Sequence, residues 1–170
     1  NLGTISRALG KLNKSELFLK QAIKINPVFV NAYFNLGIVL KELGKLKEAE
    51  KFTQKSINLQ PDLVDAYSNL GETQLKLGKL EEAKQSYQIC LKIDPKGIHR
   101  LARFLHILNM LCLWDEIEKY SLHLNRIGIE GDAINPMSLM YLEDNPLNQL
   151  KRAVKFNREH MREAIPNIFS

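Results

Sequence analysis

Apolar side chains return along this chain with two superimposed periods. Over short windows they recur every three or four residues, as in Leu101, Phe104, Leu105 and Leu108 and then Ile117, Tyr120 and Leu124, the spacing of helices that bury one face. Over a longer range residue types return every 34 positions: Leu12, Leu46 and Leu80; Ile25, Leu59 and Ile93; and the triplet Asn-Leu-Gly at Asn1, Asn35 and Asn69. Small and turn-forming residues keep the same step, in Gly10, Gly44 and Gly78, in Ser15, Ala49 and Ala83, in Ala22, Ser56 and Cys90, and in Pro27, Pro61 and Pro95. A fixed period of this length predicts stacked pairs of helices, one pair per repeat.

Each residue type in the period has a mechanical reason. Gly37 and Gly71 are small where the first helix of a pair nearly touches the second, and Ala49 and Ala83 answer them from the other side. Gly44 and Gly78 fall where one helix stops and the chain reverses, a place for left-handed backbone. Pro61 and Pro95 end the second helix, because proline lacks the amide hydrogen and disfavours helix in the residue before it. Helices of about 12 to 14 residues are marginal alone, so each pair is expected to be held by its neighbours.

These positions resemble the tetratricopeptide repeat family. Its pattern of aromatic, Leu-Gly, Ala and terminal Pro is met by Tyr33, Leu36, Gly37, Ala49 and Pro61, then by Tyr67, Leu70, Gly71, Ala83 and Pro95. The resemblance implies an all-α, right-handed superhelix of antiparallel helix pairs that works as a protein-binding scaffold. With the first position of the repeat at Val30, residues 30–63 and 64–97 are full repeats and 1–29 is a partial one. The array is therefore read as a fragment that opens inside a helix, and its uncovered apolar face makes a homodimer conceivable.

Residues 98–129 keep the period but lose its small residues, since Leu105 and Ile117 stand where Gly and Ala are expected. They are read as a degenerate, terminating pair with wider separation, in which Trp114, in the place of Leu46 and Leu80, plugs the turn. Residues 130–170 are read as a linker followed by an amphipathic helix, which starts at Asn145-Pro146 with Asn as cap. That helix sets Leu147, Leu150, Val154, Met161 and Ile165 on one side, with Lys151, Arg152, Lys155, Arg158 and Arg162 largely elsewhere, and ends at Pro166.

A narrower resemblance covers about 108 to 160. The run from Leu111 to Asp115, the segment Asn135-Pro136-Met137-Ser138-Leu139-Met140-Tyr141-Leu142 and the helix bearing Arg152 and Ala153 are similar to the junction where repeats lead into the sugar-transferase region of the O-linked N-acetylglucosamine transferase family. That resemblance implies the recruiting arm of a glycosyltransferase whose catalytic segments would lie beyond Ser170. No catalytic residue of that family carries onto a position here. The alternative is a freestanding adaptor with no enzymatic parent.

Composition narrows the chemistry. The chain has 170 residues, 45% hydrophobic and 25% charged, with a net charge of +5. Its basic excess lies in residues 1–97 and is almost all lysine, at Lys45, Lys47, Lys79 and Lys84 among others, without interleaved aromatics to stack on bases. A solvated surface, with no nucleic-acid partner, is the expectation. No window reaches the ~18 unbroken apolar residues of a membrane span and no leader is visible, so a cytoplasmic protein with no membrane partner is expected. Cys90 and Cys112 are read as buried thiols. None of His99, His106, His123 and His160 begins a metal or catalytic motif, and no phosphate-cradling glycine loop is present. No enzyme chemistry, cofactor or metal is expected of these residues.

The working surface is then expected on the first helices, which line the concave wall of such a stack. Asn1, Asn35 and Asn69 form a column of amides that can grip a peptide backbone, as an asparagine ladder does in the resembling transferase family; the column breaks at Arg103. Asn31, Asp65 and His99 at position two, with Lys41 and Lys76 near the helix ends, complete a mixed, mildly basic wall for an extended peptide. Asparagine at that position can equally bond the neighbouring helix. A clamp for chaperone C-terminal carboxylates fits less well, because Phe34 and Ile38 stand where it needs polar or basic groups.

Overall fold

The structure, a computed structural model, describes residues 11–120 and 146–160, apart from the side chains at 146, 148 and 157–160. The chain divides into two compact units, Asn1–Pro95 and Lys96–Ser170.

In the first unit five helices follow one another: α1 (Leu12–Ile25), α2 (Val30–Glu42), α3 (Leu46–Leu59), α4 (Val64–Lys76) and α5 (Leu80–Ile93). Each packs antiparallel on the next, and the first helices α2 and α4 also touch. The core runs through these contacts. Leu19 of α1, Ala32, Leu36 and Leu40 of α2 and Ala49 of α3 are wholly buried in one cluster, and Ile57 of α3 meets Ala66 and Leu70 of α4 in the next. Each fully buried leucine contributes about 1.5–3 kcal/mol, which no helix gains alone.

The helix ends follow the sequence closely. The residues before the prolines, Asn26, Gln60 and Asp94, have φ near −130° to −140° and extended backbone, as a following proline requires. Gly44 and Gly78 each have φ of 75°, and Lys45 and Lys79 close the reversal with backbone bonds to Leu40 and Gln74.

Close approach at the glycines is real, but the nearest partner lies one turn beyond the expected alanine. A Cβ on Gly37 would meet Thr53 Oγ1 at 2.2 Å, and one on Gly71 would meet the Tyr87 ring at 2.6 Å. Ala49 and Ala83 are wholly buried without being the limiting contact.

Lysines expected to be merely solvated tie the repeats together. Lys45 donates to Glu16 at 2.8 Å, and one period later Lys79 donates to both oxygens of Glu50 at 2.9 and 2.8 Å. Both lysines sit at helix starts, where positive charge opposes the helix dipole. The glutamates of the preceding second helices offset that opposition. Lys84 pairs locally with Glu81 at 3.1 Å.

In the second unit α6 (Ile98–Met110) buries Leu101, Phe104, Leu105 and Leu108, as its stripe predicts. Short α7 (Trp114–Glu118) follows, and Phe104 meets Tyr120 edge to face at 5.7 Å. Two expectations fail here. Trp114 is 55% exposed and opens α7 instead of plugging the turn. Cys112 is exposed with φ of 55°, because it occupies the reversal position held by Gly44 and Gly78. Cys90 is the buried thiol, beside Ser68 Oγ at 3.4 Å.

Helix α8 (Pro146–His160) begins with proline at its first position, as expected. Its orientation is inverted: Arg152 is 1% exposed, whereas Leu147, Leu150 and Val154 are each more than half exposed. Buried charge has to be met by other groups, and Arg152 is so engaged. Leu124, Met161, Ile165 and the junction-like segment 135–142 lie outside the described residues. Among the described residues no helix is long and apolar enough to cross a membrane, and no strand occurs.

Candidate functional site

The expected wall is built on α2 and α4, which lie side by side because Phe34 of α2 packs into the same cluster as Ala66 and Leu70 of α4. Phe34 is thus part of the join between repeats, which accounts for an aromatic at a position facing the groove.

The asparagine column does not behave uniformly. Asn35 is half-buried, and its Nδ2 donates to the Asn31 carbonyl, one turn back, at 2.7 Å; its Oδ1 accepts nothing from the described residues. Asn69 is only 5% exposed, and its Nδ2 donates to Thr53 Oγ1 at 2.9 Å, across the repeat boundary. The Asn69 Oδ1 is buried and accepts no bond from the described residues. Register explains the difference. The residue one period before Thr53 is Leu19, which has no hydroxyl to offer Asn35. Asn1 lies outside the described residues.

Of the other expected residues, Asn31 and Asp65 are exposed in the first turns of α2 and α4, and Lys76 is exposed in the last turn of α4, where the helix dipole favours a cation. Lys41 is held by Glu72 of α4, an ion pair that links the two first helices. Glu72 was legible only as an acid one turn beyond Asn69, and its pairing makes the wall less basic than the lysine count suggests. Polar, nearly neutral and rich in amides, this surface suits main-chain hydrogen bonding more than charge recognition.

His99 and Arg103 belong to α6 in the second unit, where both are exposed. Nearby His106 is half-buried, and burial, reinforced by the Arg103 charge, holds its pKa below the ordinary 6.5. Among the described residues no group of three His, Cys, Asp or Glu is placed to hold a metal ion.

Three tetratricopeptide-repeat profiles match the chain, at residues 1–29, 18–51 and 64–96. No curated protein sequence matches it. Among solved structures, the first repeat domain of Spaghetti (RPAP3) bound to an HSP90 peptide superposes with a TM-score of 0.63 at 24% identity, over 65% of this chain and 87% of that one. The second repeat domain of human RPAP3 in complex with an HSP70 peptide gives 0.60 at 24% identity, over 62% and 88%. A mutant O-GlcNAc transferase from Thermobaculum terrenum gives 0.59 at 21% identity, over 62% of this chain but 20% of that one. These likenesses are of fold.

Proposed function

Since this chain belongs to the tetratricopeptide-repeat family, we propose that it is a scaffold that holds an extended segment of another protein against the wall formed by α2 and α4. The observation that carries this reading is Asn35. Its amide nitrogen is anchored on the carbonyl of the exposed Asn31, so its oxygen is a positioned acceptor on the wall. Acceptors of this kind grip backbone amides and tolerate varied side chains. Two similar folds, those of RPAP3, are solved with peptides bound, which supports the same use here.

Isothermal titration against a set of unrelated extended peptides tests the reading. Loss of one anchored hydrogen bond in Asn35→Ala costs about 1 kcal/mol, or about fivefold in affinity. Unchanged binding to that variant would count against the wall. A peptide ending in Glu-Glu-Val-Asp should bind equally with a free or an amidated C-terminus; a strong preference for the free carboxylate would move the reading to a carboxylate clamp.

At finer grain, the scaffold is the substrate-recruiting arm of a glycosyltransferase of the O-linked N-acetylglucosamine class. This rests on the junction-like segment from Asn135 to Leu142 and on the partial likeness to the Thermobaculum enzyme. Residues 1–97 then act as the arm, 98–129 as its terminating pair and 130–170 as the start of the transferase region. A transferase reading frame continuing past Ser170 in the native gene is the expected finding. A stop codon there would favour the freestanding adaptor.

A further inference from the structure

We propose that a second docking site lies along α3, where a groove over Phe52 and the Tyr33 ring of α2 takes an acidic peptide segment bearing an aromatic side chain. The groove has a volume of about 390 Å³ and is lined by Tyr33, Phe52, Lys51, Lys55, Gln54 and Asn58. Its floor is aromatic: the two rings stack with centroids 6.3 Å apart, and the Tyr33 hydroxyl is fixed on the Pro27 carbonyl at 3.1 Å. One edge is a pair of side-chain amides, with Gln54 donating to Asn58 at 3.0 Å. The volume holds a large side chain together with the backbone that carries it, and the amides suit that main chain.

Charge selects the occupant. Lys20, Lys41, Lys45, Lys79 and Lys84 are each met by a glutamate. Lys47, Lys51 and Lys55 are exposed, four residues apart along α3, and no carboxylate among the described residues pairs with them. Like charges at this spacing cost a helix about 0.2–0.5 kcal/mol per pair. Nothing in the repeat requires that cost: one period earlier the same places hold Asn13, Leu17 and Gln21, and one period later Glu81, Gln85 and Ile89. An acidic ligand relieves the repulsion and gains from it. Nucleic acid fits less well, because Tyr33 is only 8% exposed and no run of exposed aromatics lies along α3 for successive bases to stack on.

The test is fluorescence anisotropy and amide chemical-shift mapping with an acetylated, amidated peptide Asp-Glu-Phe-Glu-Asp. Saturable binding should perturb the amides of Lys51, Phe52 and Lys55, and the double variant Lys51→Glu/Lys55→Glu should weaken it by about tenfold or more. These lysines are exposed, so the variant should fold; as a check independent of folding, the peptide with Phe replaced by Ala, or with its acids replaced by amides, should bind the unaltered protein at least about fivefold more weakly. No saturation up to about 1 mM would overturn the proposal, as would binding indifferent to charge reversal, shifts on α2 and α4 at the Asn35 wall, or tighter binding of an oligothymidine. Asn35→Ala should leave this binding unchanged, so failure here and failure of the peptide wall are separate results.

Discussion

Asn69 donates to Thr53 across the repeat boundary at 2.9 Å, and the same hydroxyl oxygen fills the space that a Cβ on Gly37 would need. One side chain therefore sets both the spacing within a repeat and the join to the next. Gly37→Ala should lower stability, because overpacking costs about 1–3 kcal/mol and exceeds the gain of about 1 kcal/mol from replacing a helical glycine. In a Thr53→Ala background the hydroxyl is gone and the penalty should shrink, with the Cβ of residue 53 and Asn69 Nδ2 left as the nearest atoms at 3.3 Å. Urea denaturation of the two singles and the double gives the coupling; equal effects of Gly37→Ala in both backgrounds would sink it.

The reversal after α6 runs through Cys112 in left-handed backbone, where Gly44 and Gly78 serve the earlier pairs. Cys112→Gly should raise stability by up to about 1 kcal/mol, since a side chain there carries a strain of about 1–2 kcal/mol, partly offset by the freedom glycine has in the unfolded chain. Gly44→Ala should lower it by about 1 kcal/mol, purely through φ, because nothing lies within 4 Å of the added carbon. Thermal melts of the two variants should move in opposite directions.

Hydrogen bonds from Lys20 and Lys45 hold the Glu16 carboxyl below its ordinary pKa of 4.5. The folded form thus binds the proton more weakly than the unfolded chain does. The pairing supports the fold above pH 4.5, and that support fades as pH falls through the lower, folded value. Glu16→Gln should be less stable than the parent at neutral pH, with the gap closing in acid; a gap independent of pH would show that the ion pairs do not stabilise the fold.

His106 is the other group whose titration should be visible. Burial, then the Arg103 charge, lowers its pKa from 6.5, so the unfolded chain takes up the proton first and stability should drop as pH falls below that value. Proton NMR should place its midpoint below 6.5, and Arg103→Gln should bring it part of the way back. A midpoint at or above 6.5 would contradict the burial seen here.

Much of the fold was written in positions that only one residue type satisfies cheaply. Pro27, Pro61 and Pro95, Gly44 and Gly78, and the stripe from Leu101 to Leu108 each name their structure because backbone geometry or burial leaves few substitutes. The candidate wall was less legible. Asn35 and Asn69 share a register but not a partner, and what separates them is Leu19 against Thr53, residues on a different helix. Lys45 and Lys79 looked solvated, and Lys41 looked available to a ligand, because their glutamates are about 30 residues away in sequence. Arg152 and Leu150 exchanged their expected surroundings because periodicity defines the two sides of α8 without saying which turns inward.

The Lys45–Glu16 and Lys79–Glu50 rungs also give the array a direction of growth. Every unit with glutamate at that place in its second helix accepts a successor whose second helix opens on lysine, so a tandem copy of residues 30–63 would fit onto its parent like a plug into a socket. A tandem copy of 64–97 would not, for Lys84 would confront the lysine of the incoming unit. In a chain of parts built on one plan, that reversal of sign marks where further copies cease to be interchangeable.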